Sequence, residues 1–184
     1  LGRREIPYTY EISINSDDIR KDKIEVTMGI LYFDIKTIEP FKGYGDIKFG
    51  MSVEEIVQIC GEPSNNEQME PIIEDSENYS LLYEYDEDGF SVCFEGVTKT
   101  IVASISTFNE EATLFGERVY EMDRNQIIDL MRRNGYKNFE EEEQEGDTCL
   151  IYDELMLDFY FNEGELIDVV WGVIVDPQGN ILSN

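Results

Sequence analysis

Histidine is absent from this 184-residue sequence, and that one absence removes several chemistries. Without imidazole there is no Ser-His-Asp triad, no Cys-His pair, and no His-ligated zinc or haem. Cysteine is scarce as well. Cys60, Cys93 and Cys149 are odd in number, widely spaced and never in a C-x-x-C arrangement. No thiolate metal site is expected, and free buried thiols in a reducing, cytoplasmic compartment are the simplest account. A Cys60–Cys93 bridge stays open. No apolar run reaches 18 residues, so no membrane insertion is expected. The sequence starts at Leu1 rather than Met. The alternative location is therefore extracytoplasmic, with an upstream signal or anchor removed.

Positive charge is the other shortage. Fourteen Lys and Arg stand against 41 Asp and Glu, for a net charge of −27. The imbalance is local: residues 1 to 48 hold nine acids and eight bases, whereas residues 49 to 184 hold 32 acids and six bases. Phosphate contact needs basic groups, so nucleic acid is not an expected partner. An anionic membrane surface is disfavoured for the same reason. A basic protein is favoured, with electrostatically steered association. What is present suffices for a fold: 41% of residues are hydrophobic, and a chain of this size buries roughly two-thirds of its unfolded surface without metal or disulfide.

Three parts follow one another. Residues 1 to 43 read as an N-terminal β segment, with alternation over Ile6–Ile14 and β-branched and aromatic residues over Ile24–Thr37. Residues 44 to 110 and 111 to 184 read as two copies of one unit. Phe49-Gly50 corresponds to Phe115-Gly116, and Met51-Ser52-Val53-Glu54-Glu55-Ile56 to Met122-Asp123-Arg124-Asn125-Gln126-Ile127, 71 positions on. Ser52 with Glu55 and Asp123 with Gln126 predict capping boxes, so each segment opens a helix. Gly61 and Gly135 supply the stops. Strands are expected at Leu81–Tyr85, Phe90–Glu95, Thr100–Thr107, Cys149–Tyr152, Leu155–Phe161 and Glu165–Val175, joined by turns rich in Asp, Asn and Gly. The fold class expected is α+β. It comprises a tandem repeat of a helix plus a three- to four-stranded antiparallel sheet, forming one continuous sheet with helices on one face.

Alternation assigns Leu155, Leu157, Phe159 and Phe161 to the core side, with Ile167, Val169, Trp171 and Val173 beside them. The opposite side then mixes acids, hydroxyls and a tyrosine, a composition suited to protein recognition. The candidate partner-binding residues are Glu84, Ser91, Glu95, Asp158, Tyr160 and Asp168 on this face, with Asp86 and Asp88 at a hairpin tip. Glu84, Asp86, Asp88, Gly89 and Glu95 also match the spacing of an EF-hand calcium loop. That motif needs flanking helices where strands are expected here, so no metal and no cofactor is assigned. Glu140 to Glu143 read as a solvated connector, with a docking surface for Lys and Arg of a partner as the alternative. Carboxylate pairs could hydrolyse glycosides, but among 41 acids such pairs are uninformative, and no catalysis is expected.

The stretch Gly45-Asp46-Ile47-Lys48-Phe49-Gly50-Met51-Ser52-Val53-Glu54-Glu55-Ile56-Val57-Gln58-Ile59-Cys60-Gly61-Glu62-Pro63 resembles a helix motif of known proteins. It is shared by the β-lactamase inhibitory proteins and by small outer-membrane assembly lipoproteins of the SmpA/OmlA type. The resemblance implies tandem helix-and-sheet units whose sheets grip a partner enzyme. The resulting expectation is an acidic inhibitor or immunity protein that occludes a basic toxin or enzyme. The alternative is a bacterial envelope assembly module.

Overall fold

The computed structural model describes residues 36–69, 80–144 and 146–182. The strands expected before residue 36 lie outside the described residues. In chain order the elements are β1 (Thr37–Glu39), β2 (Gly43–Tyr44), β3 (Ile47–Lys48), α1 (Val53–Cys60), β4 (Asn65–Met69), β5 (Ser80–Tyr85), β6 (Phe90–Glu95) and β7 (Ile101–Thr107). They continue with β8 (Thr113–Leu114), β9 (Glu117–Arg118), α2 (Arg124–Arg133), β10 (Glu140–Gln144), β11 (Asp147–Tyr152), β12 (Leu157–Asn162) and β13 (Glu165–Gly172).

The helices start where their caps dictate. Ser52 Oγ accepts the Glu55 N–H, and the Glu55 carboxylate accepts the Ser52 N–H at 2.8 Å. Asp123 and Gln126 repeat the reciprocal pair, at 2.8 and 2.9 Å. Each box satisfies N–H groups that the first helical turn leaves without partners. Ile56 and Cys60 from α1, and Ile127, Leu130 and Met131 from α2, enter one core.

The fold class differs from the α+β expectation. The protein is 46% strand with two α-helices among the described residues, and it has two sheets rather than a repeat of helix plus small sheet. The larger sheet has eight strands in the order β10-β11-β12-β13-β7-β6-β5-β4. The second sheet, in the order β3-β2-β1-β8-β9, has five. Three physical causes hid this. The strands of the second sheet are only two or three residues long, too short for alternation to show. β4 (Asn-Asn-Glu-Gln-Met) and β10 (Glu-Glu-Glu-Glu-Gln) carry no apolar alternation, because as edge strands they are paired on one side only. The expected connector at Glu140 to Glu143 is thus a strand, paired in register with Thr148–Ile151. Finally, β13 pairs with β7 through Val169↔Thr107 to Gly172↔Ser104. The strands before and after this junction therefore belong to one sheet.

One strand also departs from its expected parity. A register shift between Tyr160 and Phe161 sets Tyr160 opposite Asp168 but Phe161 opposite Leu166. Ile167 is the extra residue and stands 45% exposed, while Leu166 takes the core position.

Aromatic residues join the two sheets. Tyr44 on β2 meets Trp171 and Phe90 edge-on, with centroids 5.3 and 5.9 Å apart. Its hydroxyl hydrogen-bonds Thr107 Oγ1 at 3.0 Å. Trp171 Nε1 donates to the carbonyl oxygen of Gly43 at 3.0 Å. Gly43 has φ 142° and no room for a side chain, since a Cβ there would lie 1.9 Å from the Ile47 carbonyl oxygen. One face of the eight-stranded sheet therefore packs on the helices and the second sheet. Its core-facing row includes Phe90, Val92, Phe94, Leu157, Phe159, Val169 and Trp171. Among the described residues no helix is long and apolar enough to cross a membrane.

Candidate functional site

The other face of the eight-stranded sheet holds most of the candidate residues. Cross-strand register fixes its central row: Asn65, Glu84, Ser91, Ser106, Val170, Asp158, Ile151 and Glu140, one residue from each strand. Directly opposed residues share a face, so this row alternates with the buried row. A second row runs from Asp168 through Tyr160 and Cys149 to Glu142.

The eight strands contain eleven acidic residues and no Lys or Arg. The cations among the described residues sit elsewhere, and seven of the nine are in ion pairs. Lys36 pairs with Glu111, Lys42 and Lys48 with Glu39, Arg118 with Glu121, Arg132 with Asp129 and Arg133 with Glu117. Arg124 reaches the sheet at Glu141, whose register partner Leu150 is buried in the core. Glu141 therefore belongs to the helix side. Among the described residues, Glu84, Glu95, Asp158 and Asp168 enter no ion pair.

These carboxylates are partly taken out of water without a cation to compensate. Burial pushes the Asp168 carboxyl up from 3.8 to about 6, against the opposing pull of backbone N–H groups of Val169 and Thr107. The Val169 N–H donates to Asp168 Oδ1 at 2.9 Å. Burial also raises Asp158, reinforced by the negative charges of Asp153 and Glu142. Glu95 is raised by burial alone. Tyr160, opposite Asp168, is pushed by burial to about 12 and remains a neutral phenol at physiological pH. Desolvation disfavours the charged carboxylate in each case, and a partner cation would reverse that.

Seven of the expected residues fall into three groups, and Glu95 stands apart. Glu84 and Ser91 are adjacent, and Asn65 Nδ2 donates to Glu84 Oε2 at 2.7 Å. Asp158, Tyr160 and Asp168 form a second cluster on β12 and β13. Two strands, β7 and β13, lie between β6 and β12. Asp86 and Asp88 lie apart, in the β5–β6 turn. There the Asp86 N–H donates to Ser64 Oγ at 3.2 Å, and the Asp88 carbonyl accepts Asn109 Nδ2 at 2.7 Å. Glu95 ends β6 beyond a register shift, opposite Ile101.

Strands flank the Glu84–Glu95 segment on both sides, so it is a hairpin and not an EF-hand. No group of three potential ligands that could hold a metal occurs among the described residues. Neither Cys93 nor Cys149 is in a disulfide. Cys60 lies in the core, while Cys93 is on the open face, opposite Leu82 and Ser104. The sheet itself separates them.

Sequence reasoning missed Ser104 and Ser106, which flank the buried Ile105 in β7 and share the open face with Cys93 and Ser91. Their alternation was legible in Ser104-Ile105-Ser106. It places Glu140 and Glu142 only in a charged connector, and the strand character of β10 brings them onto this face.

No protein-family model matches the sequence, and no curated protein matches it. Among solved structures, the chain is similar to an extracellular protein containing an SCP domain from Bacillus anthracis, with 17% identity and a TM-score of 0.39. The match covers 84% of this chain and 50% of that one, so this chain spans about half that protein's length. A likeness at this level carries no functional argument.

Proposed function

We propose that this protein is a non-catalytic binding protein of the inhibitor or immunity type, which occludes a basic toxin or enzyme through the open face of its eight-stranded sheet. One observation carries the reading: eleven acids and no Lys or Arg on eight adjacent strands. An acidic surface that only kept the molecule soluble would gain nothing from half-burying its carboxylates uncompensated. Here Asp158, Asp168 and Glu95 are all raised by burial. A cationic partner recovers that cost on docking, because the opposite charge stabilises the ionised form.

In this reading the long-range field of a −27 molecule speeds encounter, and the face supplies the fit. Tyr160 is the anchor, an amphipathic ring set among polar contacts. The carboxylates occupy positions on the partner where a phosphate or carboxylate substrate would otherwise lie, and access is blocked.

The test uses immobilised protein against a lysate of its source, eluted in salt steps. The expected result is one basic protein at near-equal stoichiometry, retained through moderate salt, whose own activity falls when this protein is added. Retention of acidic proteins only, or binding without any change in the partner's activity, would contradict the reading.

A further inference from the structure

Between Asp168 at one end and Glu95 at the other, the three central strands of the eight-stranded sheet carry only small groups on the open face. β6 presents Ser91 and Cys93, β7 presents Ser104 and Ser106, and β13 presents Val170 and Gly172. The strands on either side carry larger ones, Leu82 and Glu84 on β5 and Asp158 and Tyr160 on β12. Side-chain size thus makes a trough of the middle of the face. With strands about 4.8 Å apart, the floor spans about 10 Å and the walls stand about 19 Å from each other. An α-helix with its side chains is about 10–12 Å across.

The floor can be covered without leaving polar groups unpaired. The Ser91 and Ser106 hydroxyls hydrogen-bond each other at 2.8 Å. The Cys93 thiol lies opposite Ser104, and a thiol is a weak hydrogen-bonding group. Groups satisfied among themselves lose little when water leaves. The floor strands are paired on both sides, so they offer no free row of backbone N–H and C=O groups. An occupant must therefore satisfy its own backbone, as a helix does. Charge excludes a second copy of this chain, which would set one acidic, cation-free face against another in molecules of net charge −27.

Resting on the binding reading above, we propose that the trough receives a basic α-helix of the partner. The helix lies along the strands with small residues against Ser91, Ser106 and Val170. Lys or Arg on its two flanks reach Glu84 on one wall and Asp158 on the other. From the Asp168 row to the Gly172 row the floor runs about 13 Å, enough for about nine helical residues. A cation every three or four residues then meets the same wall.

The probe is a fluorescent Ala/Lys peptide of about 18 residues, long enough to be helical in isolation, with Lys on two flanks and Ala between them. Its control has the same composition with two central residues as D-isomers, which breaks the helix. The helical peptide is expected to bind at least tenfold tighter than its control. It should shift the backbone amide resonances of Ser91, Ser106 and Val170 in the wild-type protein. Ser106→Trp, which fills the floor, should weaken it by tenfold or more; the wild-type resonance map stands by itself if that variant fails to fold. Equal affinity of the two peptides, or shifts confined to β10, overturns the helix proposal while leaving an acidic binding face in place. Binding of either peptide unaffected by Glu84→Gln with Asp158→Asn overturns the face itself, and the helix proposal with it.

Discussion

Asp168→Asn should make the protein more stable at neutral pH, and the gain should depend on pH in a defined way. Asp168 lies beside Tyr160 on β12, and its charge also acts on Tyr120. Both phenols are raised by burial and stay neutral through the range considered. Its carboxyl sits at about 6 in the folded protein against an ordinary 3.8. A carboxyl whose folded value lies above its unfolded one costs stability once ionised. The cost is absent where both states are protonated, grows as pH rises through the interval, and is complete above the folded value. The ceiling is about 3 kcal/mol. Solvent still reaches this half-buried side chain, so the figure expected is about 1 to 1.5 kcal/mol. Asparagine keeps an oxygen for the Val169 N–H and removes the charge. Urea melts of both proteins at pH 7.5 should show the variant ahead by that amount, with unchanged m. At pH 5, clear of the isoelectric point near 4.1, the gain should be smaller, because part of the folded wild-type carboxyl is then protonated. Asp158 and Glu95 are common to both proteins and cancel. A variant less stable at pH 7.5, or a gain as large at pH 5, would refute the reasoning. If the open face binds a basic partner, the same variant should bind it more weakly, because a cation there would stabilise the ionised carboxylate.

Four further outcomes are expected. Trp171→Phe removes the indole donor to the Gly43 carbonyl and part of the ring packed against Tyr44, so it should cost about 1 to 3 kcal/mol in chemical denaturation. Tyr152→Phe should be neutral or stabilising by up to about 1 kcal/mol, because the buried Tyr152 hydroxyl has no hydrogen-bond partner and loses nothing by its removal; a loss above about 1 kcal/mol would show that the hydroxyl is satisfied in solution. Tyr160→Ala should weaken partner binding by more than about 2 kcal/mol, measured by calorimetry. Glu141→Ala, on the helix side with Arg124, should change it by less than about 0.5 kcal/mol.

What the sequence could reveal was set by which elements obey strong local rules. Capping boxes involve neighbouring residues, so both helix starts were legible at Ser52 and Asp123. Strands with one apolar row announced themselves, and Phe90–Glu95 begins and ends as its alternation dictates. Pairing between strands distant in sequence leaves no such local trace. The parallel pair β1–β8 joins Thr37 to Thr113, and nothing in either short segment points to the other. The second sheet stayed hidden for that reason, and with it the class of the fold. The bulge at Ile167 was invisible because Leu166, Ile167 and Val169 are equally apolar, and only the partner strand decides which two face inward. On the candidate face, Asp158, Tyr160 and Asp168 were legible from parity. The absence of cations across all eight strands became apparent only when β4 and β10 took their places at the edges.

The most direct test of the acidic face compares two variants of equal charge. One carries Glu84→Gln, Asp158→Asn and Asp168→Asn on the open face. The other carries Glu117→Gln, Glu121→Gln and Asp129→Asn, whose carboxylates pair with Arg133, Arg118 and Arg132 away from the eight-stranded sheet. Each loses three negative charges, so long-range attraction falls equally in both. Affinity for the partner retained by the wild-type protein should drop at least tenfold for the first and less than threefold for the second. Equal losses would show that overall charge, and not this face, holds the partner.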